Sequence, residues 1–146
     1  MLRKSYRLLI LPYTLVLLYL MLLGFGREQY DDHIVRFSPL FSTWLFAKQS
    51  LLWNNEQSLL INIFGNILLF VPFGFLGWIF PKLNSLKILL MSFLSVLIVV
   101  EAVQYFSRMG VFDVDDLLLN TLGVCIGFWL YKITIKKPPT YKIKLK

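Results

Sequence analysis

The sequence predicts an all-α membrane protein: a four-transmembrane-helix bundle with both termini cytoplasmic and a long outer connection between helices 1 and 2. Three observations predict it. First, 58% of the 146 residues are hydrophobic and 16% charged, against about 45–50% and about 25% in an ordinary soluble domain. The mean hydropathy is +0.68. Second, the apolar residues gather into four continuous blocks, 8–25, 59–80, 88–106 and 117–135, each near the roughly 20 residues that cross a bilayer. Third, the charges fall almost wholly between the blocks. This pattern excludes a disordered tail and argues against a water-soluble enzyme. The single cysteine, Cys125, leaves no disulfide framework. A β-barrel would show segments of about ten residues with alternating polarity, and these blocks are continuous.

Block 8–25 carries no charge and follows Arg3, Lys4 and Arg7, as a signal peptide would. It is longer than a signal h-region of about 7–15 residues and no A-x-A site follows, so it reads as a retained helix. The connection 26–58 holds Phe37, Leu40, Phe41, Trp44, Leu45 and Trp53, too apolar for a solvated loop. It is expected along the outer interface, where Trp is favoured, or folded back over the bundle. Block 59–80 is uncharged but contains Asn62, Asn66 and Pro72. Pro72 is expected to kink the helix near its middle and Pro81 to end it. Block 88–106 has one charge, Glu101, and block 117–135 has one, Lys132, near enough to the end to snorkel out. The chain reads as a single domain, 1–146, with 136–146 as a basic cytoplasmic tail.

Orientation follows from the basic residues. Eleven of the 15 Lys and Arg lie at the N-terminus, between blocks 2 and 3, and in the tail; Arg27, Arg36, Lys48 and Arg108 lie on the other side. Seven of the eight acidic residues share that second side, Glu101 being the exception. The net charge of +7 therefore reads as a topology signal facing anionic headgroups. The expected partners are membrane lipids and no nucleic acid.

The polar residues inside the blocks share a depth. Asn62 and Asn66 lie four apart on one helical face, Glu101 and Gln104 three apart, with Arg108 seven beyond Glu101. Asp113, Asp116 and Asn120 align if the fourth helix starts early, and Gly123 and Gly127 continue that stripe. At about 1.5 Å per residue, these groups fall within roughly 10 Å of the outer ends of their helices. Buried ionisable groups face a bundle interior or a water pocket. The expectation is an outward-facing polar pocket walled by the second, third and fourth helices. Asn62, Asn66, Gln104 and Asn120 are candidate ligand-binding residues. Glu101, Arg108, Asp113 and Asp116 are candidate catalytic ones: a general acid or base, a guanidinium for a phosphate, and carboxylates for a divalent cation or polarised water. No nucleophile stands out, and no cofactor or resident metal is assigned. Simpler roles stand beside these. Asp115 can cap the fourth helix, Glu101 can hold helices together as a neutral carboxyl, and the asparagines can link helices for about 0.6 kcal/mol each. His33 reads as a solvated loop histidine and Cys125 as a small core residue.

These residues resemble the VanZ-like family of bacterial membrane proteins over about residues 36–131. The resemblance rests on Arg36-Phe-Ser-Pro39-Leu-Phe, on Asn62-x-x-Gly65-Asn66-Ile-Leu-Leu-Phe-Val-Pro72-Phe-Gly74-Phe-Leu, on Glu101-x-x-Gln104-x-x-x-Arg108, and on Phe112-Asp113-Val-Asp115-Asp116-x-x-x-Asn120-Thr-x-Gly123-x-x-x-Gly127. In the first string the family often carries an Asn-Leu-Ile-Pro-Phe-like run instead. The resemblance implies a multi-pass bacterial cell-membrane protein, associated through the name-giving member with resistance to the glycopeptide teicoplanin. The expected function is to bind or alter a lipid or lipid-linked wall precursor, or a lipoglycopeptide, at the outer leaflet. The alternatives are an enzyme acting on a phospholipid or polyprenyl-phosphate headgroup and a small proton-coupled exporter.

Overall fold

Three of the apolar blocks each wind into one long α-helix, and the second does not. The computed structural model describes residues 2–24, 30–52 and 56–135. Its elements, in order, are α1 (Leu2–Leu22), β1 (Val35–Arg36), α2 (Phe41–Leu52), α3 (Glu56–Phe70), a 3₁₀ segment (Val71–Trp78), a 3₁₀ turn (Pro81–Asn84), α4 (Leu86–Ser107), β2 (Phe112–Asp113) and α5 (Val114–Thr134). Helices α1, α4 and α5 are long and apolar enough to cross a membrane, and a shorter apolar helical stretch covers Ile63–Trp78. Their outward faces are inverted relative to a soluble protein: Leu8, Val99, Phe106 and Trp129 are all largely exposed. The tail, 136–146, lies outside the described residues.

The second block departs from expectation. A continuous helix kinked at Pro72 was expected; the α-helix instead ends at Phe70 and the chain continues as 3₁₀. Proline removes the donor of its own turn and crowds the carbonyl before it. A 3₁₀ bond to the Leu69 carbonyl would come from the N–H of residue 72, which proline lacks. The Tyr13 hydroxyl of α1 donates to that carbonyl instead, at 2.7 Å, and Tyr6 donates to Pro72 O at 2.8 Å.

The other reason for the break is the partner. α5 lies along α3 and the 3₁₀ segment with almost no side chains between the backbones. A methyl on Gly127 would meet the Val71 carbonyl, one on Gly123 the Ile67 carbonyl, and one on Gly74 the backbone of Gly127 and Phe128. With lipid outside, association relies on such close packing rather than on a hydrophobic driving force between helices. Next to this seam, Leu17, Phe70, Leu89 and Val124 form the core where α1, α3, α4 and α5 meet. Phe70, Phe73 and Phe93 pack there with ring centroids 5.6–6.1 Å apart. At one end of the bundle Lys132 donates to the Asn84 carbonyl at 3.0 Å and to its side-chain oxygen at 2.6 Å, tying α5 to the turn before α4.

The described part of the long connection, 30–52, folds back over the other end of the bundle. β1 pairs in parallel with β2, with Val35 opposite Phe112 and Arg36 opposite Asp113, and α2 packs on α3 and α5. Gly127→Ala should be destabilising by about 1–3 kcal/mol, since overpacking here pushes on backbone rather than a mobile side chain. Gly65→Ala, where nothing lies within 4 Å of the added carbon, should be tolerated. Thermal unfolding of both variants in detergent checks the contrast.

Candidate functional site

The site forms where the polar ends of α3, α4 and α5 meet α1. Glu101 and Gln104, three apart on the last turns of α4, are 1% and 5% exposed, and Asn120 of α5 is 1% exposed. Together with Asn66 and Asp116, and with Leu17, Leu20, Met21, Leu69 and Phe70, they line a cavity of about 180 Å³. Asn66 Nδ2 donates to Asp116 Oδ1 at 3.3 Å, joining α3 to α5 at the rim. Gln104 Nε2 donates to the Met21 carbonyl at 2.6 Å. That carbonyl belongs to the last turn of α1, where the carbonyls have no donor within their own helix. Asn120 Oδ1 is buried without a hydrogen-bond partner, an acceptor held ready in a place where leaving one empty costs about 1–3 kcal/mol. Asn62 lies on the α3 backbone, and its side chain is outside the described residues.

The expected pocket had three walls; the structure has four. α1 supplies apolar side chains and a backbone carbonyl, neither of which stands out in a uniformly apolar block.

Two candidate residues are elsewhere. Arg108 does not join Glu101, because α4 ends at Ser107 and Arg108 is its C-cap, with φ 57° in the left-handed region. The helical spacing that aligned it with Glu101 stops one residue too early. Its side chain is exposed, and its Nε donates toward His33 Nε2 at 3.5 Å. Its carbonyl accepts from Tyr30 N at 2.9 Å, and the Met109 N–H returns to Gln104 O at 3.1 Å, closing the cap in Schellman fashion. His33, expected as a solvated loop residue, is exposed in a loop and also makes contacts: its Nδ1 lies 2.8 Å from Tyr105 O and its ring 4.8 Å from the Tyr105 ring. With Nε2 accepting from Arg108, Nδ1 carries the hydrogen toward that carbonyl.

Asp113 is the N-cap of α5, extended at φ −120° and ψ 122°, and accepts from Asp115 N at 2.9 Å. Sitting before the helix, it does not share the face of Asp116 and Asn120. Its other oxygen is 3.7 Å from Arg36 Nη1, across the β1–β2 pair. Asp115 does cap a helix, but it caps α2 rather than its own. Its carboxylate accepts from Leu40 N and from Thr43 N, the latter at 2.8 Å, while the residue is 3% exposed. Two free amides and the positive end of α2 hold this buried charge. The left-handed Leu40, at φ 62°, turns the chain so that both amides face it. Three neighbouring aspartates thus have three separate duties. Among the described residues no group of three or more His, Cys, Asp or Glu could hold a metal ion.

Apolar helices of membrane-spanning length around a buried polar cluster define a small helical membrane protein. The chain belongs to the VanZ/LLP1 family, whose model matches residues 10–135. No curated protein matches it, and no solved structure does.

The capping role of Asp115 has a direct consequence. Asp115→Ala should cost about 1 kcal/mol, as loss of a helix cap does, and speed amide exchange in α2 about fivefold. Exchange in α4 should stay as it is. Hydrogen-exchange mass spectrometry over 41–52 and 86–107 measures both.

Proposed function

We propose that this protein contributes to protection against teicoplanin-type glycopeptides, or to the cell-envelope response to them, by binding a lipid or lipid-linked wall precursor at the outer leaflet of the bacterial cell membrane. One observation carries the reading: five polar side chains from three helices turned into a single cavity, among them the almost fully buried Asn120 with an unused acceptor. Family membership supports the biology. The distribution of Lys and Arg supports the side, since the cavity end of the bundle is the end with fewer basic residues.

The composition of the cavity narrows the ligand. Two carboxyl side chains, two asparagines and a glutamine line it, with no cation. Such a set suits hydroxyls, amides and amines, as on a sugar or a short peptide, and suits a bare phosphate badly. With Arg108 on the surface beside His33, a phosphate-clamping enzyme loses the guanidinium it needs. Catalysis at a different headgroup bond remains the second reading, favoured by the seating of Glu101 in the cavity, where it can serve as general acid or base.

The test replaces cavity and non-cavity residues in parallel. Asn120→Ala, Asp116→Asn and Glu101→Gln should each cost about 1 kcal/mol of binding, about fivefold in affinity, and lower the inhibitory concentration of teicoplanin at unchanged membrane abundance. Arg108→Gln should leave it unchanged. Equal sensitivity of cells with and without the protein overturns the proposal.

A further inference from the structure

A second, larger space lies along the other side of α1. Between α1, the 3₁₀ segment and α4 runs a cavity of about 560 Å³. Its walls are apolar, with Ile10, Leu17, Phe73, Leu89, Phe93 and Val96 among them. Leu17 is the only buried residue of α1, so the helix stands off from α4 over most of its length, held at Tyr6, Tyr13 and Met21 by hydrogen bonds. From Arg7 to Met21 the groove follows the helix for about 21 Å, longer than half of a hydrocarbon core of about 30 Å. That is the shape of one extended acyl chain.

The ends of the groove carry opposite chemistry. At one, Leu17, Met21 and Phe70 are shared with the polar cavity of Glu101 and Asp116. At the other, Arg7, Ile79 and Phe80 are shared with an open cavity of about 410 Å³ whose remaining walls are Arg3 and Lys4. All three basic side chains are exposed and fall within about 6 Å of rise along α1. A phosphate is repelled by the carboxylate end and attracted by the basic one, where basic residues near an anionic leaflet each strengthen lipid binding.

We infer that this groove is a binding site for one anionic phospholipid, its phosphate held by Arg3, Lys4 and Arg7 and one acyl chain laid between α1 and α4. The site is distinct from the polar cavity and stands whether or not that cavity has the role proposed for it. The lipid fills space that the protein's own side chains leave open, and so braces α1 against α4.

Native mass spectrometry of the full chain in non-ionic detergent tests this, with dioleoyl phosphatidylglycerol and dioleoyl phosphatidylcholine added in turn. The expected result is one phosphatidylglycerol retained per chain under conditions that strip phosphatidylcholine. The triple variant Arg3→Gln, Lys4→Gln, Arg7→Gln should weaken retention on the order of a hundredfold. Val96→Trp, which fills the groove from a lipid-facing position without changing charge, should weaken it as well. Equal retention of the two lipids by the unaltered protein overturns the inference, and that comparison needs no variant to fold. Displacement of the lipid by inorganic phosphate alone, or full retention in Val96→Trp, also overturns it, since either places the lipid on surface charge and not in the groove.

Discussion

The close approach of α5 to the 3₁₀ segment sets the geometry of everything around it. Gly123, Gly127 and Gly74 let two backbones touch where any side chain would hold them apart. Asn120 sits three residues before Gly123 and Asp116 four before Asn120, on the same face of α5. Whatever draws Gly123 against the Ile67 carbonyl therefore draws Asn120 and Asp116 toward Asn66, one residue before Ile67. The burial of polar groups is in this sense a consequence of glycine packing. In lipid, where apolar side chains gain little by leaving one apolar environment for another, such contact and the hydrogen bonds it allows are the main source of helix association.

A second constraint fixes the roof. The segment 112–116 serves as strand, cap and cavity wall within five residues. Asp113 closes α5 and meets Arg36, Asp115 receives the start of α2, and Asp116 faces Asn66. Each carboxylate is matched with amide donors or a guanidinium, as buried charges require. The β1–β2 pair supplies the register that makes this possible: with Arg36 opposite Asp113, α2 begins within reach of Asp115. The connection is thereby pinned to the same turn that delivers Asp116 to the cavity.

Much of this was legible in the residues and the remainder was not, for identifiable reasons. The long helices α1, α4 and α5 follow from continuous apolar runs. The meeting of Glu101, Gln104, Asp116, Asn120 and Asn66 on one cavity follows from helical spacing combined with the antiparallel run of the blocks. Arg108 was misplaced because spacing assumes an unbroken helix, and the left-handed cap falls on Arg108 itself. Asp113 was misplaced by the same assumption at the opposite helix end. Helix α2 had no periodic signal to announce it, and the residue that caps it lies 72 positions from Thr43. The contribution of α1 was invisible because it rests on a backbone carbonyl and on apolar side chains identical in kind to those facing lipid. In the second block Pro72 signalled a disturbance, but its form, 3₁₀ rather than a kink, depends on the glycine seam on the partner helix.

The two sides of α3 and the 3₁₀ segment illustrate why the bundle has cavities at all. On the α5 side, glycines allow backbone contact and leave no gap. On the α1 side there are no such glycines, and the helix is held at intervals by long polar side chains. One of those bonds is tied to Pro72, since Tyr13 takes the carbonyl whose 3₁₀ donor proline lacks, and Tyr6 donates to the carbonyl of the proline itself. A tyrosine reaching to a backbone oxygen keeps the two axes roughly a side chain apart, farther than a glycine contact does. The intervening space is then filled only where Leu17 and the phenylalanine cluster reach across. The apolar groove and the polar cavity are the two parts of that space left on either side of Leu17. Their opposite chemistry follows from which helix ends carry Arg7 and which carry Glu101. Side-chain hydrogen bonds at Tyr6, Tyr13 and Met21 hold α1 at a distance, and the glycine seam accounts for the close contact of α5 on the opposite face.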